Sequence, residues 1–439
     1  MINNASKIKY SFRNLQPRET WAFRDIGRRE INAFTHDYHR YPAKFIPQLV
    51  KGLIEKYSEV GELVFDPFGG CGTTMLEARL SGRKSIGFDI NLVAELIANT
   101  KIQAIYPGKL DQAYEVFLKM YKKAGSYKYI DYSGRLEYWF DHQTFVELTR
   151  IYRAIITIPE KYERRFFLCA FSHILKNSSR WLMSSIKPQI DSKKIIPDTF
   201  EIFKRKLSSM FKKNELYYTE LKRMGRLSLS AQFKHRDATL KYPSSMHGMV
   251  DLVVTSPPYV TSYEYSDLHQ LTLFWLQADT RQAHGLSGFD IVHDKFRRRF
   301  VGTKLKKNSV HDEIGSSIAE SIVRDLKSEG LTSTANEVHN YFADMYKAFC
   351  AMRGGLRNGG KACVIIGNTS IKGVPILNAE VAAEQLYSIG MNKVSNIKRE
   401  IVNKMITPWR DLDTGKFTGI SNKRKIRAYA HEYIVIVQK

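Results

Sequence analysis

The sequence predicts an α/β fold, a Rossmann-like sheet with helices on both faces and a helical insertion, and three observations carry that expectation. Short apolar runs end abruptly at turn-formers: Glu62-Leu63-Val64-Phe65-Asp66 meets Pro67-Phe68-Gly69-Gly70-Cys71-Gly72, and Met249-Val250-Asp251-Leu252-Val253-Val254 meets Thr255-Ser256-Pro257-Pro258-Tyr259. Such β-branched runs read as buried strands. An amphipathic stretch with Met75, Leu76, Ala78 and Leu80 follows the glycine loop, so strand, loop and helix make the first half of a βαβ unit. The alternation then gives way, from about 101 to 230, to long helical periodicity rich in Lys, Arg and aromatics, and resumes at Phe233.

In chain order, residues 1–35 are polar and mixed in charge and read as an N-terminal tail or arm on the surface. Aromatics, basic groups and two prolines crowd into His36-Asp37-Tyr38-His39-Arg40-Tyr41-Pro42-Ala43-Lys44-Phe45-Ile46-Pro47, which enters a helix with Leu49, Val50, Leu53 and Ile54 as its apolar face. A second strand, Lys84-Ser85-Ile86-Gly87-Phe88-Asp89, ends in a carboxylate. Residues 101–232 form the helical insertion, with helices around 145–156, 164–176 and 200–224; the basic face of the last is either a phosphate contact or a solvated surface. Phe233 to Ala238 is a short strand ending in another acid, Asp237, and Tyr263 to Leu276 an aromatic helix near the Pro-Pro loop. Residues 280–330 interleave Lys295, Arg297, Arg298 and Arg299 with Phe296 and Phe300, a pattern suited to nucleic acid. Thr334 with Glu337 reads as a capping box. Lys361 to Asn368, a helix over Asn378 to Ile389 and Tyr433 to Val437 complete the sheet, with a basic segment, Arg399 to Arg427, before the last strand.

Composition narrows the partners. Lys plus Arg (68) less Asp plus Glu (44) gives a net charge of +24 over 439 residues, which points to a polyanion. No 18-residue apolar span, signal peptide or lipidation motif occurs, so nucleic acid is favoured over a membrane surface. Four scattered cysteines without Cys-x-x-Cys spacing, and histidines without HxxxH or HExxH spacing, lead to the expectation of a reduced cytoplasmic protein without a metal site.

Two stretches carry chemistry. Consecutive prolines forbid a further ladder bond and an immediate helix, so the chain leaves the sheet after Thr255 as a stiff loop. That loop fixes the Ser256 hydroxyl, backbone carbonyls at Pro257 and Pro258, and the Tyr259 ring, acceptors beside a stacking face that suit a flat heterocycle bearing an amino group. A Pro-rich turn is the bland alternative. In the other stretch, glycines let the backbone approach a ligand and the following helix start offers free N–H groups. The spacing is neither GxGxxG nor a P-loop. Asp89, at the end of the second strand, is either a ribose-diol partner or a helix cap.

Taken together, Asp66-Pro67-Phe68-Gly69-Gly70-Cys71-Gly72-Thr73 and Thr255-Ser256-Pro257-Pro258-Tyr259 resemble the S-adenosylmethionine-dependent DNA methyltransferases that modify exocyclic amino groups. The resemblance covers residues 36–100 and 233–439, and implies one catalytic domain with a mixed seven-stranded methyltransferase sheet. Within it, Asp66, Phe68, Gly70 and Gly72 would hold the methionine part of S-adenosyl-L-methionine, Asp89 the ribose hydroxyls and Asp237 the adenine amino group, with Lys44 as counter-charge to the carboxylate. Ser256, Pro257, Pro258 and Tyr259 would be the catalytic loop. The insertion and the 280–330 segment are both candidates for contact with duplex DNA and target recognition. Serine at the start of the catalytic motif resembles the N-4 cytosine branch, whereas Asp or Asn is commoner in the N-6 adenine branch. No Pro-Cys dipeptide exists for carbon-5 chemistry. A cognate restriction endonuclease is expected by family analogy. An RNA base amino-methyltransferase and a catalytically silent nucleic-acid-binding protein are the alternatives.

Overall fold

The computed structural model describes residues 4–42, 44–123, 135–185, 187–260, 265–277, 299–303, 312–402, 409–411, 418–427 and 431–439. Seven strands form one sheet: β1 Leu63–Asp66, β2 Lys84–Asp89, β3 Ala231–His235, β4 Val250–Thr255, β5 Leu356–Ile366, β6 Asn392–Glu400 and β7 His431–Gln438. Their order is β3-β2-β1-β4-β5-β7-β6. The first five run parallel, and β7 is antiparallel to both its neighbours. This is the mixed, Rossmann-like sheet with helices that the sequence predicts.

The longer helices are α1 Asn4–Arg13, α2 Pro47–Tyr57, α3 Thr73–Leu80, α4 Leu92–Ile102, α5 Pro107–Lys123, α6 His142–Ile156, α7 Lys161–Ser178, α8 Thr199–Arg223, α9 Gln270–Gln277, α10 Ser317–Ser328, α11 Thr332–Gly355 and α12 Asn378–Ser388. Side chains alternate across the sheet, as strand geometry demands. Val64, Leu252, Val254 and Ile365 pack with Leu49, Val50, Leu53 and Ile54 of α2 on one face. Phe65, Val253 and Val364 pack with Val338, Phe342, Met345 and Phe349 of α11 on the other. Burying each such side chain contributes about 1.5–3 kcal/mol, so both faces of the central strands are anchored.

The insertion does not float apart from this sheet. Leu92, Val93, Leu96 and Ile97 of α4 share a core with Leu148 and Ile155 of α6, Phe166 and Phe167 of α7, and Trp275 of α9. Trp275 packs against Phe145, Tyr152 and Phe171, so the helix that follows the Pro-Pro loop is held by the insertion.

Three elements differ from the sequence expectation. The N-terminal arm is folded: α1 buries Ala5, Ile8 and Phe12, and its ring at Phe12 meets Tyr433 of β7. Edge strand β6 gives little strand signal because only Ile397 among its apolar side chains is fully buried and its other positions are mostly polar. Its open edge is covered by the arm, where the Arg18 amide donates to the Lys398 carbonyl at 2.8 Å. The helix expected to open with a Thr334/Glu337 capping box begins instead at Thr332, with Leu331 as N-cap and without a side-chain cap bond. Of the 280–330 segment, residues 278–298 and 304–311 lie outside the described residues.

Candidate active site

Strands β1 and β4 are parallel neighbours, with Val64 opposite Leu252 and Phe65 opposite Val253. The chain order reverses between them, and ligand crevices in open α/β sheets form at the carboxyl ends of strands at such a switch point. The glycine loop leaves β1 there and the Pro-Pro loop leaves β4, side by side.

One carboxylate ties the two loops together. Asp66 is buried. Its Oδ1 accepts from the Thr255 hydroxyl at 2.7 Å and from the Phe68 amide at 3.1 Å, and its Oδ2 accepts from the Thr74 hydroxyl at 2.7 Å. Burial, only partly offset by these three bonds, pushes its pKa up to about 6. The carboxylate is thus committed to the last residue of one strand and the first helical turn after the other.

The glycine loop is shaped for close approach. Gly70 and Gly72 both have positive φ, +48° and +81°. The Gly70 amide donates to Asp89 Oδ2 at 3.0 Å, while Asp89 Oδ1 accepts from the Asn91 amide at 2.9 Å. Burial pushes the Asp89 carboxyl up to about 6. A Cβ on Gly70 would lie 3.4 Å from the Tyr41 ring, so Tyr41 roofs the loop. A Cβ on Gly72 would lie 2.8 Å from Ala98 Cβ, which gives this glycine a packing reason on α4. Lys44 is half-buried, donates to Asn32 Oδ1 at 3.0 Å and to the His36 carbonyl at 3.3 Å, and has its pKa lowered, by burial and then by Lys101. Asp237 forms a local turn, its Oδ1 accepting from the Thr239 amide at 2.9 Å and hydroxyl at 2.7 Å. Phe68 is partly buried at the mouth. A half-buried cation, a partly exposed carboxylate, an aromatic ring and a glycine cradle thus line the end of the sheet, and they fit a ligand combining a carboxylate, a diol and a flat ring.

The Pro-Pro loop is held from afar. Tyr341 of α11 donates to the Pro258 carbonyl at 2.8 Å. The Tyr259 hydroxyl donates to Glu432 of β7 at 3.3 Å. Glu432 pairs with the buried Arg399 of β6, whose Nε donates to the Trp21 carbonyl at 2.6 Å. Ser256 also hydrogen bonds the Tyr259 side chain. Burial first, then the Glu432 carboxylate, holds the phenol protonated well above its ordinary pKa. The ring rests on Gly367, where an added Cβ would lie 3.1 Å away.

A third wall joins the two loops to the insertion. His39 Nδ1 lies 2.7 Å from the Arg40 carbonyl, and burial lowers its pKa to about 4, so the ring is neutral with its proton on Nδ1. Its Nε2 therefore accepts from Ser172 of α7 at 2.9 Å, and the Ser172 oxygen accepts from Thr272 of α9 at 2.7 Å. Asn91 donates to His269 Nδ1 at 2.8 Å, and the His269 ring lies 5.2 Å from that of Tyr41.

The structure brings Asp66, Phe68, Gly70, Gly72 and Asp89 to the end of β1 and β2, and Ser256 to Tyr259 to the end of β4; Asp237 follows β3 and Lys44 precedes α2. Sequence reasoning misses Tyr41 as the roof of Gly70, although the crowding of His36 to Pro47 marks its segment. It also misses Tyr341, Glu432 and Arg399, which carry no local signal.

The mixed seven-stranded sheet with its helices is consistent with a Rossmann-like methyltransferase fold. Residues 3–100 match an N6/N4 methyltransferase family described as DNA methylase. The type II methyltransferase M.MvaI of Kocuria varians is 26% identical over 409 residues, 87% of each chain. The type II methyltransferase M.BsoBI of Geobacillus stearothermophilus is 22% identical over 86% of each chain. The type II methyltransferase M.MjaII of Methanocaldococcus jannaschii is 29% identical over 44% of this chain and 32% of its own. Together with the fold, these likenesses support a DNA amino-methyltransferase. Among the described residues no helix is long and apolar enough to cross a membrane, and no group of three or more His, Cys, Asp or Glu could hold a metal ion.

Proposed function

We propose that the protein transfers a methyl group from S-adenosyl-L-methionine to the N-4 amino group of cytosine in duplex DNA, as the modification half of a restriction-modification system. The observation that carries this reading is the juxtaposition at the β1/β4 switch point of a glycine cradle and a Ser-Pro-Pro-Tyr loop, tied by Asp66 to Thr255. The relatives named above as type II methyltransferases support the DNA substrate.

The glycine loop, with Lys44 for the carboxylate, Asp89 for the ribose hydroxyls and Asp237 for the adenine edge, would hold the cofactor, which supplies an electrophilic methyl group when bound. Asp66 serves that cradle by fixing its shape rather than by facing the ligand. The target base is buried in the duplex, so the enzyme flips it out at a cost of roughly a few kcal/mol. An exocyclic amine is a poor nucleophile because its lone pair is delocalised into the ring. With Pro258 committed to Tyr341, the Pro257 carbonyl is the loop's backbone acceptor for the amine, beside the Ser256 hydroxyl. Those acceptors hold the amine hydrogens, favour pyramidal nitrogen and stabilise the positive charge that develops. Tyr259, held protonated, acts by stacking and not as a base. Serine at the first motif position favours cytosine over adenine as the target.

Transfer of labelled methyl groups to mixed-sequence duplex DNA tests this reading. Incorporation into duplex DNA, lost in Ser256→Ala/Tyr259→Ala, is expected; incorporation into structured RNA alone would overturn it.

A further inference from the structure

We propose that Arg40, Lys176, Arg180, Lys187, Lys193 and Lys194 form a docking surface for the sugar-phosphate backbone of duplex DNA, beside the mouth of the site. The inference rests on the proposed function and adds the place where the substrate's backbone lies.

The sequence directs attention elsewhere, to the basic helix α8. There three of the cations are matched: Lys204 pairs with Glu201 at 2.5 Å, Lys213 with Asp37 at 2.5 Å, and Arg223 with Glu220 at 2.8 Å. The turn that leaves α7 is different. Arg40 donates to the Asn177 amide oxygen at 3.0 Å, Lys176 to the Ser185 carbonyl at 2.7 Å, and Arg180 to the Glu137 carbonyl at 2.7 Å. Lys194 donates to the carbonyls of Lys176, Ser179 and Trp181 at 2.7, 2.6 and 3.0 Å. Every acceptor is neutral. The one acid within residues 176–194, Asp191, turns Oδ1 to the Lys193 amide at 3.1 Å.

The cations also crowd each other. The Lys176 pKa is lowered by burial and then by Arg40, and that of Lys194 falls to about 8 through burial and then Lys176. Neutral oxygens position these groups and only Asp191, acting on Lys194, offsets part of their charge, so a polyanion relieves their repulsion on binding. The platform is rigid: Trp181 stacks on Trp139 at 5.1 Å beneath the Lys176 ammonium, and bridges to Ile190. Lys187 and Lys193 are exposed, as are the apolar tips of Met183 and Ile195, the latter at 91%. Arg40 places the surface at the site, since His39 before it bonds Ser172 and Tyr41 after it roofs Gly70.

Fluorescence anisotropy of a mixed-sequence duplex, titrated with the full chain from about 50 to about 200 mM salt, tests the proposal. The variant Arg40→Gln/Lys187→Gln/Lys193→Gln should show a salt slope shallower by about one for each phosphate it no longer neutralises. Two such phosphates correspond to a fall in affinity across that range that is roughly tenfold smaller than in wild type. Its melting temperature and S-adenosylmethionine affinity by calorimetry should match wild type. Lys204→Gln/Lys213→Gln/Arg223→Gln on α8, which removes the paired cations, lowers the net charge equally and should leave the slope nearly unchanged. An unchanged slope in the first variant, an equal effect from the second, or a change seen with single-stranded RNA and not with duplex DNA would each overturn the surface. Wild type that binds duplex with this behaviour yet transfers no methyl group would remove the proposed function and leave the surface standing.

Discussion

The two loops at the switch point are built by different means. The glycine loop is held by bonds that close over short stretches of chain: Asp66 to Phe68 and Thr74, and Asp89 to Gly70 and Asn91. The Pro-Pro loop is held by side chains remote in sequence, Tyr341 on the Pro258 carbonyl and Glu432 on Tyr259, the latter braced by Arg399 and the N-terminal arm. The glycine loop is thus a local construction. The Pro-Pro loop, proposed to meet the substrate, is set by elements distant in sequence, and Asp66 on Thr255 joins the two.

Breaking the proposed catalytic loop itself should have the largest effect. Ser256→Ala/Tyr259→Ala removes an acceptor and the stacking ring, and kcat should fall by about 10²-fold or more while duplex binding persists, as read by single-turnover methyl transfer and anisotropy. Turnover near wild type would remove this loop from the reaction.

Remote support comes next. Glu432→Gln leaves the buried Arg399 uncompensated, and a loss of about 3–5 kcal/mol in denaturant unfolding is expected. Tyr259→Phe isolates the functional share, because it keeps the ring and deletes only the hydroxyl's bonds to Glu432 and Ser256. Roughly a fivefold fall in kcat with an unchanged cofactor affinity is expected. A lost cofactor affinity instead would mean that the two loops are not separately built.

On the cradle side, Gly72→Ala puts a Cβ 2.8 Å from that of Ala98 at a φ of +81°. About 1–3 kcal/mol of stability should be lost, measurable by thermal melting.

The smallest effect is a pH slope. Asp66 has a folded pKa of about 6 against an ordinary value of 3.8, so the fold favours its protonated form. Its contribution is complete below about 4 and is lost as pH rises through about 6. Asp66→Asn should therefore flatten the fall in stability over that window, by on the order of a few kcal/mol at most. Identical pH profiles for wild type and variant would show that Asp66 is ionised at little cost.

This contrast also explains what the sequence discloses. Strand β1, the glycine loop and Asp89 are legible because their bonding partners sit within a few residues or one βα unit, and β4 because a β-branched run ends at two prolines. Helix α2 is legible because Leu49, Val50, Leu53 and Ile54 repeat with the helical period. Edge strand β6 is not, since Asn392 to Glu400 buries little apolar surface and is held by pairing with β7. The anchoring of Tyr259 is hidden for a related reason: nothing near residue 259 specifies a carboxylate at 432 or a buried guanidinium at 399. The folded state of the arm depends on α12 and β7, surfaces supplied by the other end of the chain.

The central claim is that this Ser-Pro-Pro-Tyr loop presents the amino group of cytosine for methylation. Mass spectrometry of nucleosides from DNA of cells expressing the protein, beside cells expressing Ser256→Ala/Tyr259→Ala, tests it most directly. N-4 methylcytosine is expected in the first and none in the second; N-6 methyladenine without N-4 methylcytosine would contradict the claim.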